Sequence, residues 1–237
     1  MKKKFSTKDN WKKIQDYKSR YLEQKRFPLL PVPYKSRIQP IKHTAYLMFI
    51  RSKFIYLAFV ESLEKKNLYA SYSLLKSYWE DLATLGFYYL EISKFLDNGD
   101  EQKAFELSRK MALGGRGFLT EEMVLKKGHT MKDFQIPRIS EMIRVVDADL
   151  KRNLKEDESI LGDLYHRQVA EGGHTTYIGL WIAGRRKVDG SGVADINRSW
   201  NREENSSILN LGALAAILFF YYWNKFQELN SHTPELS

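Results

Sequence analysis

The chain has 237 residues, of which 43% are hydrophobic and 14% aromatic, and its formal net charge is +9 at pH 7. This composition is sufficient for one large folded domain or for a domain with an arm. The sequence contains no cysteine, which excludes disulfides, thiolate zinc sites and cysteine nucleophiles and favours a cytoplasmic location.

The N-terminal segment holds all of the excess positive charge. Residues 1–42 contain 13 Lys or Arg and 3 Asp or Glu. The other 195 residues contain 25 Lys or Arg and 26 Asp or Glu, so their charges nearly cancel. Such a charge indicates a nucleic acid as partner, and the cations that we expect to contact it are Lys12, Lys13, Lys18, Arg20, Lys25 and Arg26. The rings that could stack on its unpaired bases are Phe5, Trp11, Tyr17, Tyr21, Phe27 and Tyr34. The segment lacks the apolar run of a secretory signal, so export is not expected.

The same segment has the pattern of a helix followed by a linker. Residues 6–9 resemble a capping box ahead of a helix that continues to about Arg26. As an alternative to base stacking, the apolar stripe of this helix would pack on a core through Trp11, Ile14, Tyr21 and Leu22. An extended linker is predicted by Pro28, Pro31, Pro33 and Pro40. We therefore expect a basic helical arm and linker over residues 1–40, a helical bundle domain over 41–230 and a tail over 231–237.

Apolar residues recur at helical spacing over residues 41–66 and again over residues 68–96, which predicts a long antiparallel helix pair. Arg51, Glu61 and Glu80 interrupt these apolar runs. If Arg51 and a glutamate face the interior they must pair, and such a pair would brace the fold. Shorter helices are predicted over residues 101–113, 121–127, 139–154 and 159–170.

Residues 185–205 are polar and contain glycine, which predicts a long loop before the last helix. That helix begins at Ser206 or Ser207 and is apolar on every face. A membrane anchor is one explanation, but the apolar stretch contains Asn210 and is shorter than the roughly 18 to 20 residues that a membrane requires. A core helix without stable membrane insertion is favoured, so the predicted fold class is an all-α helical bundle.

Residues 165–177 read YHRQVAEGGHTTY, in which six residues separate Arg167 from His174. This pattern resembles the Arg-x(4–6)-His motif of the HEPN superfamily, helical proteins that include metal-independent ribonucleases of toxin–antitoxin and phage-defence systems. The resemblance implies RNA as substrate, no cofactor or metal, and a homodimer, an antitoxin or another protein as possible partner. Arg167 and His174 would be catalytic, and the residues that could support them are Tyr165, His166, Gln168, Glu171 and Tyr177.

The spacing of the two residues sets a condition on catalysis. Positions seven apart return to nearly the same helix face but stand roughly 10 Å apart along the axis. Gly172 and Gly173 would let the chain turn and bring the two side chains together, or a two-fold axis would join residues of two subunits. Arg167 would then hold the phosphate while His174 moves a proton between the ribose 2′-hydroxyl and the leaving oxygen. Gln168 departs from the family pattern, in which Asn, Asp or His often follows the arginine.

Other interpretations of these residues stay open. The segment could be a helix C-terminus in which His174 caps carbonyl groups and Arg167 makes a structural ion pair. A metal site is a further alternative, with carboxylate-x-x-His units at residues 163–166 and 171–174 and further ligands from Glu61, Glu80 and Glu91. The alternative to an enzyme is a non-catalytic helical module that binds nucleic acid or a protein partner through its basic arm.

Overall fold

A computed structural model of the chain describes residues 7–27, 39–113, 135–155, 159–170, 185–186, 194–195 and 202–232. Its helices are α1 (Thr7–Glu23), α2 (Gln39–Glu64), α3 (Leu68–Asp97), α4 (Glu101–Leu113), α5 (Ile139–Leu154), α6 (Leu161–Leu164) and α7 (Arg202–His232). A π-helical turn, Tyr165–Ala170, continues α6, and the two-residue strands β1 (Arg185–Arg186) and β2 (Ala194–Asp195) pair antiparallel. The predicted all-α helical bundle is confirmed.

Helices α2 and α3 form the predicted antiparallel pair. Their cross-contacts run in opposite directions along the two helices: Ser62 Oγ lies 2.7 Å from Ser71 Oγ, and the Tyr88 hydroxyl donates to the Ile41 carbonyl oxygen at 3.0 Å. The turn between them places Lys66 at a φ of 55°. The Asn67 side chain then caps α3 by accepting a hydrogen bond from the Ala70 N–H at 3.1 Å.

Helix α7 is largely buried in the bundle. It packs against α1 and α3, and its fully buried residues include Ile208, Ala215, Ala216, Phe219, Tyr222 and Phe226. The apolar part of α7 spans 25 residues, Asn205–Leu229, which by length and composition is enough to cross a membrane. The expectation that it is too short was therefore wrong. Because 67% of its most apolar stretch is buried inside the bundle, burial rather than length identifies it as a core helix.

Helix α1 packs into the bundle. Ile14 and Tyr21 are completely buried, and the Tyr21 hydroxyl lies 2.9 Å from that of Tyr78 on α3. Tyr17 stacks on Phe220 of α7, with ring centroids 5.1 Å apart. The apolar-stripe interpretation is therefore confirmed for Ile14 and Tyr21, whereas base stacking by Tyr21 is excluded because its ring is buried. Leu22, which was assigned to the same stripe, is exposed.

Several predicted boundaries need correction. Pro40 does not lie in an extended linker; α2 begins at Gln39, and proline is tolerated in a first helical turn because the N–H that it lacks would have no helical partner there. Helix α7 begins at Arg202 and not at Ser206, and the predicted loop before it contains the paired strands β1 and β2. Among the predictions that lie outside the described residues are those for Ser6, Pro28, Pro31, Pro33 and the helix at 121–127.

The partner of Arg51 is an aspartate. Arg51 Nη1 lies 2.7 Å from Asp81 Oδ1 on α3, where a pair with a glutamate was expected. The arginine side chain is largely exposed, while Asp81 is only 4% exposed and also accepts a hydrogen bond from Ser52 Oγ at 3.1 Å. The ion pair thus joins α2 to α3 at the edge of the bundle. The Asp81 carboxylate is the charged group that loses its contact with water, whereas the Arg51 guanidinium stays largely hydrated.

Candidate functional site

The segment with the predicted catalytic arginine forms the π-helical turn Tyr165–Ala170. The turn packs on α3, and its Tyr165 and Val169 side chains are buried. π-Helical turns are rare and occur frequently at functional sites. The backbone of Arg167 and Gln168 lies in this turn, whereas Glu171, Gly172, Gly173, His174 and Tyr177 lie outside the described residues.

Tyr165 anchors the turn to α3. Its hydroxyl donates a hydrogen bond to Glu80 Oε1 at 2.7 Å, and Lys76 Nζ lies 3.7 Å from the same oxygen. Burial of the ring, followed by the bond to Glu80, raises the pKa of Tyr165, so the hydroxyl keeps its proton and remains a donor. His166 is exposed, and its ring meets the edge of the Tyr165 ring at a centroid distance of 5.2 Å.

The start of α6 is held by a carboxylate of α5. Asp147 Oδ1 accepts hydrogen bonds from the N–H groups of Ile160 and Leu161, at 2.8 and 2.7 Å. Asp147 is itself buried, so its charge is stabilised by these two donors. Together, Asp147 and Glu80 hold the two ends of the short segment that leads to Arg167, a role that the sequence did not predict for either residue. The sequence signal that points to Asp147 is its position on the buried face of α5, beside Val146 and Leu150, where a carboxylate needs hydrogen-bond donors.

The predicted nucleic-acid contacts on α1 and just after it fall into two groups. Lys12, Lys25 and Arg26 are exposed. Lys18 Nζ instead pairs with Glu64 Oε1 at 2.8 Å. The Arg20 guanidinium lies over the Phe220 ring, 4.2 Å from its centroid. Lys13 is partly buried and, like Arg20, has a contact within the protein.

A cavity of about 630 Å³ opens between the start of α1, the α2–α3 turn and the first turns of α7. Its lining includes Lys8 and Trp11 from α1, Lys66 from the turn, and the apolar side chains of Leu63 and Leu209. Its volume falls in the range of about 300–1,000 Å³ that is typical of small-ligand sites. Trp11 therefore borders open space near two cations and near Glu64, whose carboxylate is paired with Lys18. An aromatic ring beside cations is an arrangement on which a base can stack.

The metal interpretation gains no ligand cluster within the described part of the chain. No group of three or more His, Cys, Asp or Glu side chains comes together there. Of the proposed ligands, Glu61 is exposed and pairs with Lys65 at 2.6 Å, and Glu80 is bound to Tyr165. Residues 171–174, the second carboxylate-x-x-His unit, lie outside the described residues.

No protein-family model matches this sequence, and no curated protein or solved structure is significantly similar to it.

Proposed function

We propose that this protein is a metal-independent ribonuclease that resembles HEPN proteins and belongs to a toxin or phage-defence system. The observation that carries the proposal is the π-helical turn at Arg167, which is bonded to α3 through Tyr165 and Glu80. A rigidly held turn is what a catalytic guanidinium needs, because catalysis depends on groups that are already in position before the substrate binds.

In this proposal each residue of the pair has one task. Arg167 binds the scissile phosphate through its paired N–H donors and stabilises the negative charge of the transition state. His174 takes the proton of the ribose 2′-hydroxyl and delivers a proton to the leaving oxygen. Tyr165 positions the turn and does not touch the substrate. The exposed cations on and after α1 attract the RNA.

The proposal is tested by the cleavage of single-stranded RNA in EDTA. Wild-type protein is expected to cleave, and Arg167→Ala and His174→Ala are expected to be inactive while keeping the wild-type circular dichroism spectrum. Arg144→Ala, which removes an exposed arginine from α5, is the matched control and should cleave like wild type. An inactive wild type, or equal cleavage by all four proteins, rejects the ribonuclease.

The second candidate is a non-catalytic module that binds nucleic acid. It is favoured by the exposed cations at Lys12, Lys25 and Arg26 and by the position of Trp11 beside the cavity. This candidate predicts RNA binding without cleavage, and an affinity that falls steeply with ionic strength.

A triple alanine variant tests the binding surface. Replacing Lys12, Lys25 and Arg26 should weaken binding of single-stranded RNA and lower the slope of log affinity against log salt by up to about 0.7 per lost phosphate contact. The matched triple variant removes exposed cations from α3 and α5, at Lys94, Arg144 and Arg152. If both triple variants lose the same affinity, binding follows net charge alone and the surface around α1 is not the binding site.

A further inference from the structure

Exposed apolar side chains lie mainly on two neighbouring helices. The part of the chain that the structure describes has six exposed large apolar side chains, and four of them belong to α1 and α2. These four are Leu22, Leu47, Ile50 and Phe54, which are 49%, 46%, 37% and 68% exposed. Contiguous exposed apolar surface on a soluble protein commonly marks an interaction site.

The three exposed residues of α2 lie on one face of the helix. Leu47, Ile50 and Phe54 follow one another at intervals of three and four residues, and residues at these intervals are neighbours on a helix surface. The opposite face of α2 packs into the core through Phe49 and Tyr56. The outer face is therefore the side of α2 that is open to a partner.

Leu22 lies on the side of α1 that faces α2. It follows Gln15 by seven residues and Lys18 by four, a spacing that places all three on one side of the helix. Gln15 and Lys18 both bond to Glu64 Oε1 of α2, at 3.3 and 2.8 Å. Leu22 therefore adjoins the outer face of α2. We call Leu22, Leu47, Ile50 and Phe54 the apolar patch.

Cations border the apolar patch. Arg51 and Lys53 flank the row of exposed apolar side chains on α2 from opposite sides, by their positions along the helix. Lys53 Nζ donates to the Gln24 carbonyl oxygen at 2.8 Å, so the end of α1 lies beside the middle of α2. Lys25 and Arg26 follow directly and are exposed. The patch thus has positive charge on both of its long sides.

The balance of charge around the patch is positive. Residues 22–27 and 47–57 contain four Lys or Arg and one carboxylate, that of Glu23, which gives +3. The balance becomes +2 when the buried Asp81, which pairs with Arg51, is counted as well. A surface with this balance attracts anions.

The carboxylates at the C-terminal end of α2 are paired with lysines. Lys65 Nζ lies 2.6 Å from Glu61 Oε1, and Lys18 Nζ lies 2.8 Å from Glu64 Oε1. These pairs add no net negative charge, so the surface around the patch stays positive.

We propose that the apolar patch binds the surface of a lipid bilayer that contains anionic lipids. Its side chains enter the boundary between headgroups and acyl chains, where the apolar face of an interfacial helix is buried about 5–10 Å deep. The bordering cations then meet the anionic headgroups. RNA fits this patch less well, because Leu22, Leu47 and Ile50 are aliphatic and neither stack on bases nor donate hydrogen bonds.

A bilayer also fits the patch better than a second protein does. It deforms around inserted side chains and needs no matching pocket, so it accepts a patch that is divided between two helices. This contact lies on the bundle surface and leaves α7 in the core, where 67% of its most apolar stretch is buried. The proposal does not rest on the ribonuclease, because the patch contains no residue of the π-helical turn.

The first test is sedimentation of the full chain with lipid vesicles. Wild type is expected to bind vesicles of mixed phosphatidylserine and phosphatidylcholine, and to bind phosphatidylcholine alone far more weakly. Phe54→Gln should weaken binding to the mixed vesicles by at least about tenfold, because it removes an apolar side chain that the bilayer would bury. Leu154→Gln is the matched control, since Leu154 is 55% exposed on α5; it should bind like wild type.

Two outcomes overturn the proposal. A wild type that stays in the supernatant at low salt rejects the bilayer and leaves the patch to an acidic protein. Equal binding by Phe54→Gln and wild type rejects the apolar contact, because attraction by charge alone would then be sufficient. Phe54→Gln should keep the wild-type circular dichroism spectrum and cleave RNA at the wild-type rate without vesicles, so failure of lipid binding is distinguishable from failure of the ribonuclease.

A charge variant tests the choice of anionic lipid. Replacing Lys25 and Arg26 with glutamine should weaken binding to the mixed vesicles by about fivefold per residue. The matched double variant replaces Arg144 and Arg152, which are exposed on α5, and should bind like wild type. Equal losses in the two double variants would show that net charge alone governs binding, and would overturn the assignment of the patch.

A fluorescent probe tests which face meets the lipid. The chain has no cysteine, so a single introduced cysteine carries the label. A nitrobenzoxadiazole group on Leu47→Cys should shift its emission to shorter wavelength when mixed vesicles are added, and the same group on Leu154→Cys should not. A shift at position 154 without one at position 47 would place the contact on another face and refute the proposal.

Discussion

Replacing Asp81 with asparagine is expected to stabilise the folded protein at neutral pH. Burial raises the pKa of Asp81 from 3.8 to about 6, although Arg51 and Ser52 act in the opposite direction. This increase corresponds to about 3 kcal/mol at pH values above 6, which is the upper limit for the cost of the buried charge. This figure already includes the favourable effect of Arg51, which is limited because the arginine side chain is 61% exposed and exposed partners are well screened.

The surroundings of Asp81 can accept an asparagine. Ser52 Oγ lies 2.9 Å from the Met48 carbonyl oxygen and 3.1 Å from Asp81 Oδ2, so its hydroxyl can donate to Met48 and accept from the new amide. The remaining amide oxygen still accepts from Arg51. We therefore expect Asp81→Asn to raise the free energy of unfolding by about 1–3 kcal/mol at neutral pH.

The sign of the pH dependence follows from the direction of the pKa change. Because the folded-state pKa is raised, the contribution of Asp81 to stability is fully present below 3.8 and is lost as pH rises through about 6. The gain from Asp81→Asn should thus appear across this window and stay constant above it. Urea unfolding followed by circular dichroism at several pH values measures the gain.

Asp100→Asn is the control, because its effect on the free energy of unfolding should have the opposite sign to that of Asp81→Asn. The bond to Lys103 lowers the pKa of Asp100, so its stabilising effect is present at neutral pH and is lost as pH falls through that lowered pKa. Asp100→Asn should therefore lose stability at neutral pH. A gain from Asp81→Asn that does not change with pH, or a loss at neutral pH, would refute the reasoning about the buried charge.

Two more substitutions test the packing and the site. Gly212→Ala is expected to destabilise the fold by about 1–3 kcal/mol, because an added Cβ would lie 2.7 Å from Cζ of Phe59; an unchanged urea midpoint would contradict this close approach of α7 and α2. Tyr165→Phe removes the hydroxyl that donates to Glu80 and should cost about 1–3 kcal/mol. It should also slow RNA cleavage without weakening RNA binding, so cleavage at the wild-type rate would show that the bond does not position Arg167.

Much of the fold can be predicted because polar turns and apolar residues at helical spacing mark most helices in the sequence. Helices α4 and α5 begin and end as predicted, since a polar turn precedes α4 and apolar residues recur along the buried face of α5. The start of α7 was placed four residues late, because Arg202 to Asn205 are polar and gave no apolar signal. Arginine and glutamate are nevertheless good helix formers, and they extend a helix whose apolar part is buried.

The site was less predictable because its contacts join distant parts of the chain. Tyr165 was chosen as a supporting residue from its position beside Arg167, but its partner Glu80 is 85 residues away. A pattern of apolar spacing cannot distinguish a π-helical turn from an α-helix over six residues. Asp147 was missed for the same reason, since its partners Ile160 and Leu161 lie beyond the end of its own helix.

The most direct measurement of the proposed function is the chemistry of the RNA ends. Attack of the 2′-oxygen on phosphorus breaks the bond to the 5′-oxygen, so the wild type in EDTA should leave a 2′,3′-cyclic phosphate and a 5′-hydroxyl. RNA of the same sequence with 2′-O-methyl groups should stay intact, and Arg167→Ala and His174→Ala should give neither product. Cleavage of the methylated RNA, or these ends from both variants, would contradict the assignment of Arg167 and His174.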